Sequence, residues 1–288
     1  MARPIRVFCF VDKQRRTVSR LVAGVAVVTS AVAVVWAATD VSAEEARDVE
    51  SKIAGGQLAE DGRFPWMAAI TTAEEPDVGY CGGTLIADDV VLTAGHCFDD
   101  LSPAELVVRH GDVTLAKADR YAIADVVVAE GYDHDLQYDW AVVKLAEPVA
   151  DAEPLPLAAT DDEDWSTFEI AGWGVTGHTA PSPDLRWAEV PYIDDTECGA
   201  LNEDSEFFPK TQLCAGELEG EEVNACPVDS GGPLMAEVDG RTVLAGIVSW
   251  GSDCYETPEP GVYASVGAQI DDIRAAVDEA GGKPPACR

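Results

Sequence analysis

Apolar residues in this chain come in short runs broken by turn-forming residues. Residues 64–70, 83–86, 90–92, 106–108, 141–143 and 243–248 are such runs, the first reading Phe-Pro-Trp-Met-Ala-Ala-Ile. Runs this short and this regularly interrupted suit strands of an all-β sandwich or barrel rather than alternating βαβ units. One stretch keeps a helical period instead. Val266, Ile270, Ile273 and Val277 fall on a single stripe with Gly281-Gly282 as the stop, so the pattern predicts one helix, terminal, over residues 266–280. The Asp-, Glu- and Pro-rich residues 147–164 read as a connection between two halves.

The beginning of the chain follows other rules. Arg3, Arg6, Lys13, Arg15, Arg16 and Arg20 precede an apolar run over residues 21–38, and Val41-Ser42-Ala43 then offers the small residues a signal peptidase accepts. Residues 1–43 therefore read as a secretory signal. The alternative is an uncleaved membrane anchor, because the run approaches the ~18 residues at which a span becomes plausible. The Arg15-Arg16 pair matches a twin-arginine signal only weakly, given the Thr17-Val18-Ser19 that follows. Residues 44–52 are polar and acidic and read as a propeptide ending at Lys52, before Ile53-Ala54-Gly55-Gly56.

Composition adds class and partners. The 288 residues are 47% hydrophobic, enough for one sizeable core or two small ones, which excludes a disordered chain. There are 53 acidic against 19 basic side chains, a net charge of −34. The basic residues gather before Ile53, so the rest of the chain is more negative still. Such a field repels nucleic acid and anionic membrane surfaces. It reads as a solvated acidic shell that keeps an exported or salt-exposed protein soluble.

The candidate chemistry centres on residues 226–234, Cys-Pro-Val-Asp-Ser-Gly-Gly-Pro-Leu. Ser230 sits between an acid and two glycines, on backbone able to turn tightly and let another chain approach. A serine hydroxyl needs a base to take its proton and an acid to orient that base. Thr93-Ala94-Gly95-His96-Cys97, after an apolar strand, supplies the base, and Tyr138-Asp139-Trp140, at the mouth of another, supplies the acid. The order His, Asp, Ser differs from the Ser, Asp, His of the α/β-hydrolases and the Asp, His, Ser of the subtilisins. His110, His134 and His178 lack such surroundings and read as surface residues. No metal-ligand spacing appears among His and Cys, so no catalytic metal and no cofactor are expected.

With these motifs, and with Gly172-Trp173-Gly174, Ser249-Trp250-Gly251 and Pro260-Gly261-Val262-Tyr263 in the same order, residues 53 to about 280 resemble the chymotrypsin-like (trypsin-type) serine proteases. The resemblance implies two packed six-stranded antiparallel β-barrels with a C-terminal α-helix, residues 53–157 forming the first barrel and 158–265 the second, within a protease domain over 53–288. It implies that Ser230 attacks the scissile carbonyl, His96 moves the proton, Asp139 orients His96 and Ser249 helps fix Asp139. It assigns the oxyanion hole to the N–H groups of Val228 and Ser230, and the substrate pocket to Asn224, Ser249, Trp250, Gly251 and Gly261. It pairs Cys81 with Cys97, Cys198 with Cys214 and Cys226 with Cys254. Cys9 would leave with the signal. Cys287 is left over, as a free thiol or an intermolecular bridge. Cleavage after Lys52 would free the Ile53 ammonium to meet Asp229. The implied partners are protein or peptide substrates, an activating protease and protein inhibitors, for a monomer.

Two positions depart from the family. Val228 stands where glycine is usual, and a β-branched residue there restricts the backbone and crowds the leaving-group side. An active enzyme that is slower or more selective on that side, and poorly blocked by large inhibitors, is expected. Asn224 stands where trypsins carry Asp at the pocket base, which points to aromatic or long apolar side chains rather than Lys or Arg. Asp253, Glu256 and Glu259 near the rim could still favour basic ones. Gly251 and Gly261 leave the walls open. A catalytically silent, protease-like binding protein stands as the alternative to a secreted endopeptidase.

Overall fold

The computed structural model describes residues 56–132, 136–161, 165–176, 180–202, 207–218, 225–251 and 260–288. Residues 1–55, with the expected signal, the expected propeptide and Ile53, lie outside them, as do His134, His178, Asn224, Asp253, Cys254, Glu256 and Glu259. No helix among the described residues is long and apolar enough to cross a membrane.

The strands in chain order are β1 (Gln57–Leu58), β2 (Met67–Thr72), β3 (Gly79–Ala87), β4 (Val90–Thr93), β5 (Leu106–His110), β6 (Asp119–Val128), β7 (Ala141–Leu145), β8 (Thr167–Gly172), β9 (Val175–Thr176), β10 (Ala180–Pro181), β11 (Arg186–Ile193), β12 (Gln212–Ala215), β13 (Pro233–Val238), β14 (Arg241–Trp250) and β15 (Gly261–Ser265). Helix α1 covers Asp195–Leu201 and helix α2 Ile270–Glu279. Strands β2-β3-β4-β7-β6-β5 close into one antiparallel barrel. Strands β11-β12-β15-β14-β13-β8 close into a second, because β8 pairs with both β13 and β11.

Each barrel fills with the apolar runs of its own strands. In the first, Ile70, Leu85, Val91, Leu92, Val108, Val142 and Val143 are fully buried. In the second, Phe168, Val190, Leu234, Val243 and Tyr263 are. Burial of a large aliphatic side chain stabilises by about 1.5–3 kcal/mol, so these positions decide which way each strand faces.

The chain crosses between barrels at its ends. β1, in the stretch expected to belong to the first barrel, pairs instead with β11 of the second. After α2, Gly282 N–H donates to Val277 O, and the tail returns to the connection between the halves: Leu157 N–H donates to Ala286 O and Arg288 N–H to Leu157 O. Lys283 meanwhile reaches the β3–β4 turn, pairing with Asp88.

Three expectations need correcting. A helix besides the terminal one exists: Asp194 caps α1, its carboxylate accepting from the N–H groups of Thr196 and Glu197. The terminal helix begins later than residue 266, its first turn being a tight 3-10 turn over Gly267–Gln269. His110 is not a surface residue: it is 6% exposed, its Nδ1 lies 2.9 Å from Met67 O, and its ring meets Tyr121 edge-on. Burial lowers its pKa below the ordinary histidine value, so the fold holds it neutral at pH 7.

Candidate active site

The barrels meet at a seam of close backbone approaches. On β3, Gly82 N–H donates to Ser230 O at 2.7 Å, while Gly82 O accepts from Thr93 Oγ1 at 2.7 Å. A side chain on Gly231, which has φ 83°, would collide with Thr93 Oγ1. Only glycine lets the loop carrying Ser230 lie this close to the strand that leads to His96. Three tryptophan N–H groups tie the halves further, Trp66 to Met235 Sδ at 3.2 Å, Trp140 to Gln269 Oε1 at 2.8 Å and Trp173 to Val113 O at 2.9 Å.

His96 sits in a short 3-10 turn, Gly95–Phe98, directly after β4. A disulfide joins its neighbour Cys97 to Cys81 on β3, which fixes that turn to the barrel. Asp139 lies just before β7, after Leu136 and Tyr138, which both take left-handed backbone (φ 63° and 58°). Its carboxylate is fully buried and accepts three hydrogen bonds: from His96 N–H at 2.9 Å, from His96 Nδ1 at 2.8 Å and from Ser249 Oγ at 2.5 Å. A buried carboxylate is tolerated when its lone pairs are met in this way. The bond to Nδ1 puts the imidazole proton on that nitrogen and leaves Nε2 with a lone pair. Burial would lower the His96 pKa, but the Asp139 bond and charge, with Asp99 adding, outweigh it and hold the pKa above the ordinary value.

Ser230 is half-buried beside this cluster, its carbonyl also 3.9 Å from Cys97 Sγ. Among the described residues no hydrogen bond runs from Ser230 Oγ to the imidazole; in unliganded hydrolase sites such bonds are often long. Val228 takes φ 81°, a region where a β-branched residue is an outlier. Neither the Val228 nor the Ser230 N–H donates to any acceptor among the described residues, so both are available to a ligand.

Asp229 points away from that surface into the second barrel. Its carboxylate accepts from Gly174 N–H at 2.8 Å and Cys226 N–H at 3.0 Å. Burial pushes its pKa up to about 6, although those two bonds pull the other way. A Cβ on Gly172 or Gly174 would overlap this carboxylate, which gives the Gly-Trp-Gly motif its physical reason. Tyr263, fully buried, feels the Asp229 charge and has its own pKa raised by burial and that charge; its hydroxyl has no hydrogen-bond partner among the described residues.

In sequence the chain matches the family model described as Trypsin over residues 53–273. The chain belongs to the trypsin family of serine proteases. It is 36% identical over 242 residues to "Trypsin-like protease" of Streptomyces glaucescens, covering 82% of this chain and 85% of that one. It is 31% identical to "Serine protease 41" of Homo sapiens, covering 83% and 80%, and 32% identical to "Trypsin-1" of Astacus astacus, covering 77% and 99%. A trypsin-family chain acts on protein or peptide substrates.

Within that family's pocket motifs, Ser249 is buried, Trp250 is half-buried against the cluster of Ile193, Cys198, Cys214 and Val262, and Gly251 is exposed. A Cβ on Gly251 would lie 3.3 Å from Gly261 Cα, so these two glycines stand backbone to backbone. Cys198 and Cys214 form a disulfide. Cys226 is also disulfide-bonded, while Cys254 lies outside the described residues. Cys287 is half-buried, 3.7 Å from Arg274 Nη1. The potential metal ligands that cluster among the described residues are Cys81, His96 and Cys97, two of which are committed to a disulfide. Gly79 faces the Val228 side chain, and sequence reading did not single it out, since nothing along the chain connects the two.

Proposed function

We propose that this chain is a serine endopeptidase that hydrolyses peptide bonds through an acyl-enzyme. The observation that carries the reading is the linked set Ser249, Asp139 and His96 at the seam, with the Ser230 loop pinned to β3 beside it. Ser230 Oγ attacks the scissile carbonyl carbon as His96 Nε2 takes its proton. The oxygen that gains charge is met by the N–H groups of Val228 and Ser230. Imidazolium then gives its proton to the leaving amine, the C–N bond breaks, and the acyl group stays on Ser230. Water, deprotonated by His96, attacks the ester and restores the serine. Asp139 stabilises the charged imidazole in both halves without accepting its proton.

The same reading makes the chain a zymogen exported by residues 1–43 and activated after Lys52. Buried Asp229, carrying a raised pKa and only backbone donors among the described residues, is the group an Ile53 ammonium would neutralise. An uncharged pocket base at Asn224 favours aromatic or long apolar side chains before the scissile bond.

Labelling by a fluorophosphonate after cleavage at Lys52, abolished in Ser230→Ala, is the expected result. The strained Val228 favours a second reading, a protease-like binder without turnover. Absence of labelling in the correctly cleaved chain would establish that reading instead. A panel of chromogenic peptides tests the pocket, and fastest cleavage after Lys or Arg would overturn the neutral-pocket assignment.

A further inference from the structure

Val228 holds a backbone conformation that its side chain disfavours, and the space that permits this is on the other barrel. A Cβ built on Gly79, the first residue of β3, would lie 2.8 Å from Val228 Cγ1. Neither backbone can retreat without breaking a bond. Gly79 is paired with Thr71 of β2, and two residues further on Cys81 is bonded to Cys97. Across the seam, Pro227 O accepts from Val175 N–H at 2.9 Å, and Asp229 N–H donates to Cys226 O at 2.8 Å. Valine has few χ1 states with which to swing aside. Relief must therefore come from turning the peptide that carries the Pro227 carbonyl and the Val228 N–H, which gives up the bond from Val175 N–H but lets a β-branched residue leave positive φ. That turn would swing the Val228 N–H out of the direction the left-handed backbone gives it.

We infer that Gly79 is a positioning residue for the oxyanion donor: its missing side chain lets Val228 keep the left-handed backbone that presents its N–H. The inference rests on the proposed endopeptidase reading and adds to it a residue on the opposite barrel. Gly79 touches neither substrate nor reacting atoms and acts only through Val228. Val228 and Gly79 thus form a matched pair, a bulky residue where glycine is usual facing a glycine where a side chain would obstruct it.

The test is a double-mutant cycle on the full chain activated after Lys52, comparing wild type, Gly79→Ala, Val228→Gly and the double variant by kcat and KM on one peptide substrate. Gly79→Ala should lower kcat by about 10- to 100-fold with KM changed by less than about 2-fold, since only transition-state charge loses a donor. In the Val228→Gly background the same alanine should cost less than about 3-fold, because no Cγ1 remains to meet it. An equal loss in both backgrounds would mean a merely structural glycine and would overturn the inference, as would no loss in either. Should Gly79→Ala not fold, the alanine is placed in a Val228→Ala chain, which also lacks Cγ1; kcat matching that of Val228→Ala alone supports the contact and a further fall overturns it. Fluorophosphonate labelling separates the two claims. A wild type that never labels overturns the protease reading and the positioning role together, whereas a wild type that labels with an unaffected Gly79→Ala overturns the positioning role alone.

Discussion

The two halves of the site are held by different means. On the first-barrel side, Asp139 has its carboxylate met three times, twice by His96 and once by Ser249, and a disulfide clamps the His96 turn. Every buried polar atom in that cluster has a partner, so His96 and Asp139 are assembled by ordinary satisfied contacts. On the second-barrel side, the Ser230 loop has a valine at φ 81°, a glycine that no other residue could replace, and a buried carboxylate whose pKa is raised to about 6. That half stores strain and unmet charge. The difference teaches where control can act: on the proposed mechanism the base is built in, whereas the proposed nucleophile and its donors wait on cleavage after Lys52.

The comparison breaks most sharply at Asp139. Asp139→Asn keeps the shape but offers the imidazole the wrong tautomer, and kcat should fall by about 10⁴-fold, the size known for this family's own triad. In the parent, the acid limb of kcat/KM should lie above the ordinary histidine value of 6.5, since protonated His96 cannot act as base and its pKa is raised. A limb at or below 6.5 in the parent would contradict the satisfied-cluster account.

Asp229 sharpens the contrast through stability. Its folded pKa of about 6 exceeds the unfolded 3.8, so the folded uncleaved chain binds more protons between those values and loses stability as pH rises from 3.8 to about 6. The loss should approach about 3 kcal/mol by neutral pH. Comparing unfolding midpoints of the uncleaved chain with those of Asp229→Asn isolates this group. Cleavage after Lys52 should cancel the fall, and identical pH dependence in cleaved and uncleaved chains would remove Asp229 from the activation step.

Ser249→Ala takes one of three bonds from Asp139, a charge-assisted one, and should cost about 10- to 100-fold in kcat. An unchanged kcat would show that His96 alone suffices to hold the acid. Val228→Gly carries the smallest effect. Relieving a left-handed β-branched residue should stabilise the fold by about 1 kcal/mol, while binding of large protein inhibitors and turnover should rise. A lower midpoint, with neither gain, would mean that the valine is not strained.

Much of this was legible along the chain, and the failures have physical causes. The runs at residues 83–86, 90–92, 106–108, 141–143 and 243–248 lie in strands, as does 67–70 of the run 64–70, whose first three residues precede β2, because burial on both faces leaves an unbroken apolar signal. β6 did not stand out because much of its surface faces water and its apolar run alternates with Arg120, Asp119 and Asp125. β13 starts at Pro233, immediately after the Ser230 loop, and reads as part of that loop. Helix α1 buries only Cys198, so no stripe announces it. His110 carries no local mark of burial; the Met67 carbonyl and the Tyr121 ring that enclose it come from other strands.

By itself the sequence determined the family, the all-β class, the order His, Asp, Ser and the oddity of Val228, because each rests on residue type and local spacing. Tertiary structure alone decided that Gly79 faces Val228, that the Gly-Trp-Gly motif makes room for the Asp229 carboxylate, and that the tail returns to the connection between the barrels. Those are contacts between segments far apart along the chain. Their chemistry is steric fit and solvent exclusion, and neither exists until each barrel has closed and its neighbouring segments have packed against it.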